Sequence, residues 1–167
     1  MFSEVLFVGY KSVERFRGKR NTAVISILDF SERFARPDLS DFPRSLMLEF
    51  EDVSDGSEVL FGALLPDDTP EGLDRCPHNS QERFCTIKDA LLIIDFLDSI
   101  QSDPRVKTLL VHCFGGVSRP AAVAQFVLDA YAPGNCTYTG MAVSTGKNPR
   151  LYRLLQAAYK SKQAGKF

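Results

Sequence analysis

The sequence carries almost no net charge. Its 20 Lys and Arg stand against 21 Asp and Glu, which leaves −1 at pH 7. No bulk electrostatic argument therefore points to nucleic acid or to a membrane surface. Long apolar runs are missing as well, and the longest are far too short to span a bilayer. The first residues, Met1-Phe2-Ser3-Glu4, lack the basic start and extended apolar segment of a secretion signal. There is no internal repeat and no low-complexity tract. Cysteine is sparse, with Cys76, Cys85, Cys113 and Cys136, and nothing in that set demands disulfides. Cys76, His78 and Cys85 match no standard spacing of zinc ligands, and no fourth ligand is evident. No metal and no cofactor is expected.

What remains is an ordinary globular composition, 44% hydrophobic and 25% charged. At 167 residues the chain is long enough to bury a core and is read as a single domain over 1–167. Short strands are expected at 5–8, 22–28 and 45–50. The near-continuous apolarity of Thr22–Leu28 suggests an interior parallel strand. A short helix is expected over 11–16. Thr86-Ile87-Lys88-Asp89 reads as a capping box opening a helix, with Ala90, Leu91, Ile94, Leu97 and Ile100 at helical spacing. Leu92, Ile93 and Phe96 widen its apolar face. A weaker helix is expected over 136–143. Asn148-Pro149 opens a last amphipathic helix. Strands that precede helices in this way predict an α/β fold. The expected sheet is central and mostly parallel, with about four to five strands and helices on both faces.

The chemistry concentrates in Val111-His112-Cys113-Phe114-Gly115-Gly116-Val117-Ser118-Arg119. The apolar run 108–111 leads in, and the Ala-rich run 121–132 leads out. A buried strand ends there, a glycine-bearing loop turns, and a helix begins. Such a junction makes an anion site, because the first amides of a helix have no partner of their own and the helix dipole adds positive potential. Gly115 and Gly116 are expected to supply positive φ and a close backbone approach. The same field would favour thiolate over thiol at Cys113. Arg119 offers a planar fork for two oxygens. A tetrahedral oxyanion fits this set, and phosphate is the obvious one. His112 could hold the loop by hydrogen bonds, with no direct part in the chemistry.

This stretch, His-Cys, five residues and Arg, with Gly116 three residues after the cysteine, resembles the cysteine-dependent protein tyrosine phosphatase superfamily. The overall layout looks most like the compact dual-specificity and the bacterial or viral tyrosine-phosphatase-like branch. The resemblance implies a phosphomonoester hydrolase that works through a phosphocysteine intermediate. Cys113 would be the nucleophile. Arg119 and the amides of Phe114, Gly115, Gly116, Val117, Ser118 and Arg119 would hold the phosphate oxygens. In related phosphatases an aspartate just past the corresponding strand is the general acid, which makes Asp52 the candidate here. Asp55 follows, and then Asp67 and Asp68 in the loop 66–83.

One position departs from the pattern. The residue after the arginine is normally Ser or Thr, whose hydroxyl is thought to stabilise the thiolate when the phosphocysteine is hydrolysed. Here it is Pro120, and Ser118 is the nearest hydroxyl. Two rivals stand beside the phosphatase reading: a non-catalytic phosphate-binding module, and another thiol enzyme such as a sulfur transferase or arsenate reductase. The expected setting is cytoplasmic and monomeric, with a phosphorylated protein or small phosphomonoester as substrate and no nucleic acid or membrane partner.

Overall fold

A computed structural model describes residues 3–53, 83–131, 137–139 and 146–165. The strands are β1 (Glu4–Gly9), β2 (Thr22–Leu28), β3 (Arg44–Glu49), β4 (Thr108–Cys113) and β5 (Thr137–Thr139). They form one sheet in the order β3-β2-β4-β1-β5. Every pairing is parallel, so β4 is the middle strand, flanked by β1 and β2. All residues of β2 and of β4 are buried. That is why both read as continuous apolar runs: an interior parallel strand is covered on both faces. β3 lies at the edge and leaves Arg44, Ser45 and Met47 exposed.

The helices are α1 (Tyr10–Val13), α2 (Ile87–Gln101), α3 (Ser118–Ala130) and α4 (Pro149–Gln163). α2 starts at the expected capping box. Thr86 N–H donates to Asp89 Oδ2 at 2.9 Å, and the Thr86 hydroxyl accepts from Asp89 N–H at 3.4 Å. Ala90, Ile93, Ile94 and Leu97 then repeat at helical spacing and are fully buried. Its apolar stripe is narrower than expected, because Leu92 falls on the outer side and is 49% exposed. α4 buries Leu151, Leu154, Leu155 and Ala158 in the same way.

Alternate strand residues face opposite ways. Val5, Phe7, Ala23, Ile25, Ile27, Leu109 and Val111 point to the face where α2, α3 and α4 pack. Leu6, Val24 and Leu110 point to the other, where Val13 of α1 meets Leu39 and Phe42. The expected helix over 11–16 is split into α1 and a 3-10 turn at Glu14–Phe16. The helix expected over 136–143 is corrected. Thr137–Thr139 is a strand that pairs with β1, as suits β-branched and aromatic residues beside an open sheet edge. The rest of that stretch, with Cys136, lies outside the described residues. Among the described residues no helix is long and apolar enough to cross a membrane.

Candidate active site

In a parallel sheet the chain leaves every strand at the same edge, and ligands bind beyond that edge. Here β2 gives way to Asp29, β3 to Phe50-Glu51-Asp52-Val53, and β4 to the glycine loop. These three segments surround a pocket of about 340 Å³, lined by Asp29, Glu32, Glu51, Asp52, Val53, Cys113, Gly115, Val117, Ser118 and Arg119. Cys113, Arg119 and Asp52, named from sequence, thus meet in one place. Asp55, Asp67, Asp68, Cys76 and His78 lie outside the described residues.

The loop bends back on its own strand end. Gly116 N–H donates to Cys113 Sγ at 3.1 Å. Gly116 has φ +74°, and a Cβ there would lie 2.1 Å from Gly9 N and 2.4 Å from the Val8 carbonyl carbon. Only glycine fits, for conformation and for space. The expectation for Gly115 is corrected: its φ is not positive and its Cβ would meet open space. From the other side Tyr10 N–H donates to the Phe114 carbonyl at 3.3 Å, which pins β1 beneath the loop. The Phe114 ring leaves the pocket and stacks on Tyr10 at 4.9 Å, with Phe34 edge-on at 5.9 Å.

α3 begins at Ser118 with no side-chain cap on its first amides. Arg119 sits in that first turn and is 2% exposed. Its Nη1 donates to the Phe50 carbonyl at 3.0 Å. Its Nη2 meets Glu32 Oε1 at 3.0 Å and Oε2 at 2.8 Å. Nε has no hydrogen-bond partner and stands 3.9 Å from Asp52 Oδ2. Burial works against the guanidinium charge. Cys113, Glu32 and Asp52 outweigh it and hold Arg119 above its ordinary pKa.

Asp52 is placed by two donors. Ser118 Oγ and Asn148 Nδ2 each donate to Oδ1 at 2.8 Å. Ser118 is therefore turned toward the carboxylate. His112 departs from expectation. It is fully buried, and neither ring nitrogen has a hydrogen-bond partner. The Cys113 backbone is near enough to favour the charged ring but is not in hydrogen-bonding geometry, and burial still pushes the pKa down to about 4. The ring is buried at the end of β4 and does not hold the loop by hydrogen bonds.

Sequence reasoning missed Glu32 and Asp29, although a signal was there. Asp29-Phe30-Ser31-Glu32 has the spacing of a capping box. In the fold Glu32 N–H donates to Asp29 Oδ1 at 2.9 Å, and Asp29 N–H to Glu32 Oε2 at 3.0 Å. That reciprocal pair presents the Glu32 carboxylate to Arg119. Burial opposes the Asp29 charge, but the Ser31 hydroxyl, the Glu32 amide and Arg119 prevail and hold its carboxyl below the usual range.

No family model and no curated protein matches the sequence. Solved structures do. The crystal structure of human tyrosine phosphatase-like serine/threonine/tyrosine-interacting protein is similar at a TM-score of 0.53 and 18% identity, over 95% of this chain and 93% of that one. Tk-PTP in its active form aligns over 96% of this chain and 90% of that one, at a TM-score of 0.45 and 11% identity. With its middle strand ending in Cys113 and its helices packed as described, the chain has a tyrosine-phosphatase-like fold.

Proposed function

We propose that the protein is a phosphomonoester hydrolase of the protein tyrosine or dual-specificity kind, acting through a phosphocysteine. One observation carries the reading. The Cys113 sulfur and Arg119, whose Nε makes no hydrogen bond, line one pocket at the uncapped start of α3. A buried donor without a partner costs roughly 1–3 kcal/mol, and a phosphate oxygen would relieve that cost. The Cys113 thiolate attacks phosphorus in line, the P–O ester bond breaks, and Asp52 gives its proton to the leaving oxygen. Water then attacks phosphorus, the P–S bond breaks, and Asp52 takes the proton from that water. Arg119 and the loop amides hold the other oxygens throughout. The substrate is a phosphorylated protein or small phosphomonoester, handled without a metal in a reducing, cytoplasmic setting.

The test is hydrolysis of an aryl phosphate by wild type and by Cys113→Ser, with vanadate as competitor. Wild type turns over and vanadate inhibits it; Cys113→Ser binds vanadate and turns over nothing. Equal rates in both proteins would refute the reading.

A second reading, a phosphate-binding module with weak or no turnover, has an observation of its own. Pro120 replaces the expected hydroxyl, and the Ser118 hydroxyl is committed to Asp52. A stalled enzyme would label Cys113 with one phosphate and stop. A pure binder would never label.

A further inference from the structure

Asn148 reads in the sequence as a helix cap, and the proposed reaction makes no use of it. Its surroundings say more. The residue is 3% exposed. Its Oδ1 accepts Leu151 N–H at 2.9 Å, which caps α4. Its Nδ2 turns the opposite way and donates to Asp52 Oδ1 at 2.8 Å and to the Val53 carbonyl at 2.9 Å. A donor on one side and oxygens on the other leave a single orientation for the amide. Its backbone N–H donates to the Ser118 carbonyl at 3.1 Å. Asn148 thus joins the start of α4, the start of α3 and the segment that leaves β3.

The consequence falls on Asp52. With Oδ1 held by Asn148 and Ser118, the carboxylate cannot rotate freely, and Oδ2 is left on the side of Arg119. The Ser118 hydroxyl can rotate about its own bond. Asn148 is buried and fixed by its capping bond, and its second donation grips the main chain at Val53. A rigid partner of this kind is what holds a reacting group in place. We propose that Asn148 is a positioning residue for the reaction, aiming Asp52 Oδ2 into the Cys113 pocket. The proposal rests on Asp52 being the general acid.

The test uses Asn148→Ser in the full chain. Serine still caps a helix, but its hydroxyl is too short to span to Asp52. The kinetics compare an alkyl phosphate, whose leaving oxygen needs a proton, with an aryl phosphate, whose leaving group departs without one. The expected result is a fall of about tenfold in kcat for the alkyl ester and less than about threefold for the aryl ester, with KM unchanged. Added to Asp52→Asn, the same substitution should change nothing further. A loss equal for both esters, and additive with Asp52→Asn, would make Asn148 a folding residue and overturn the proposal. If wild type hydrolyses neither ester, the phosphatase reading and the reaction role fall together. Hydrogen exchange then judges the tether alone: faster exchange at 51–53 in Asn148→Ser supports it, and unchanged exchange refutes it.

Discussion

Among the described residues the long helices begin in two different ways. α2 and α4 are closed by side chains, Thr86 with Asp89 and Asn148 with Leu151. α3 has no side-chain cap, although it packs against β4 and β1. An uncapped helix start leaves amide donors without partners and a positive dipole end unanswered. A fold keeps such an end only where something else fills it. At α2 and α4 the chain fills it locally. At α3 the end opens on a pocket that holds Cys113, Arg119 and Asp52. The closed ends hold the layer of helices, with Asn148 at α4 also reaching Asp52; under the proposed function the open end takes the phosphate.

The comparison can be broken most strongly at Glu32. Its carboxylate is the anion that already faces Arg119 inside the open end. Glu32→Ala would take from the buried guanidinium the carboxylate on its Nη2, leaving the Phe50 carbonyl and the more distant Asp52, and losing one partner of a buried pair costs up to about 3–5 kcal/mol. Urea unfolding should show a loss of that order, with Glu32→Gln falling in between. A change below about 1 kcal/mol, the level of a surface pair, would mean that Arg119 is not held as described.

The strand end beneath the loop gives the next effect. Burial sets the folded pKa of His112 at about 4, against an ordinary 6.5. As pH falls below the unfolded value the unfolded chain gains a proton that the fold refuses. Stability is therefore complete above about pH 6.5 and declines toward pH 4, by on the order of 3 kcal/mol at 1.36 kcal/mol per unit. In His112→Asn that part of the decline should vanish from unfolding curves measured across the interval. An identical pH profile in both proteins would show that the folded ring takes up its proton as readily as the unfolded one, and that burial does not hold it neutral.

The smallest effects sharpen the contrast between ends. Thr86→Ala opens a closed end and should cost about 1 kcal/mol, with phosphate binding untouched. Val117→Asp puts a carboxylate at the open end. It should weaken oxyanion binding by about tenfold while changing stability by no more than about 1 kcal/mol. Both are read by thermal unfolding beside a vanadate titration. If Thr86→Ala weakened binding as much as Val117→Asp, the division between the ends would be wrong.

Much of this site was legible because its parts are neighbours in the chain. Cys113, Gly116 and Arg119 fall within one strand-loop-helix unit, and local spacing carries their chemistry. The caps at Thr86 and Asn148 were legible for the same reason. The partners brought in from afar were not. Glu32 reaches Arg119 across 87 positions, and Asn148 reaches Asp52 across 96. No local pattern encodes which carboxylate a buried arginine will meet. His112 misled because a histidine beside a loop looks like a hydrogen-bonding group, whereas the fully buried β4 gives its ring no partner. Thr137–Thr139 misled because a three-residue edge strand is too short to show a period of two.

The central claim is that the open start of α3 grips a tetrahedral oxyanion against Cys113. Amide NMR of the whole chain during a vanadate titration tests it most directly. The account predicts saturable shifts at Phe114 through Arg119 and at Asp52, abolished in Arg119→Lys, whose ammonium cannot replace the planar guanidinium. Saturable shifts confined to another part of the molecule, or an undiminished response in Arg119→Lys, would contradict it.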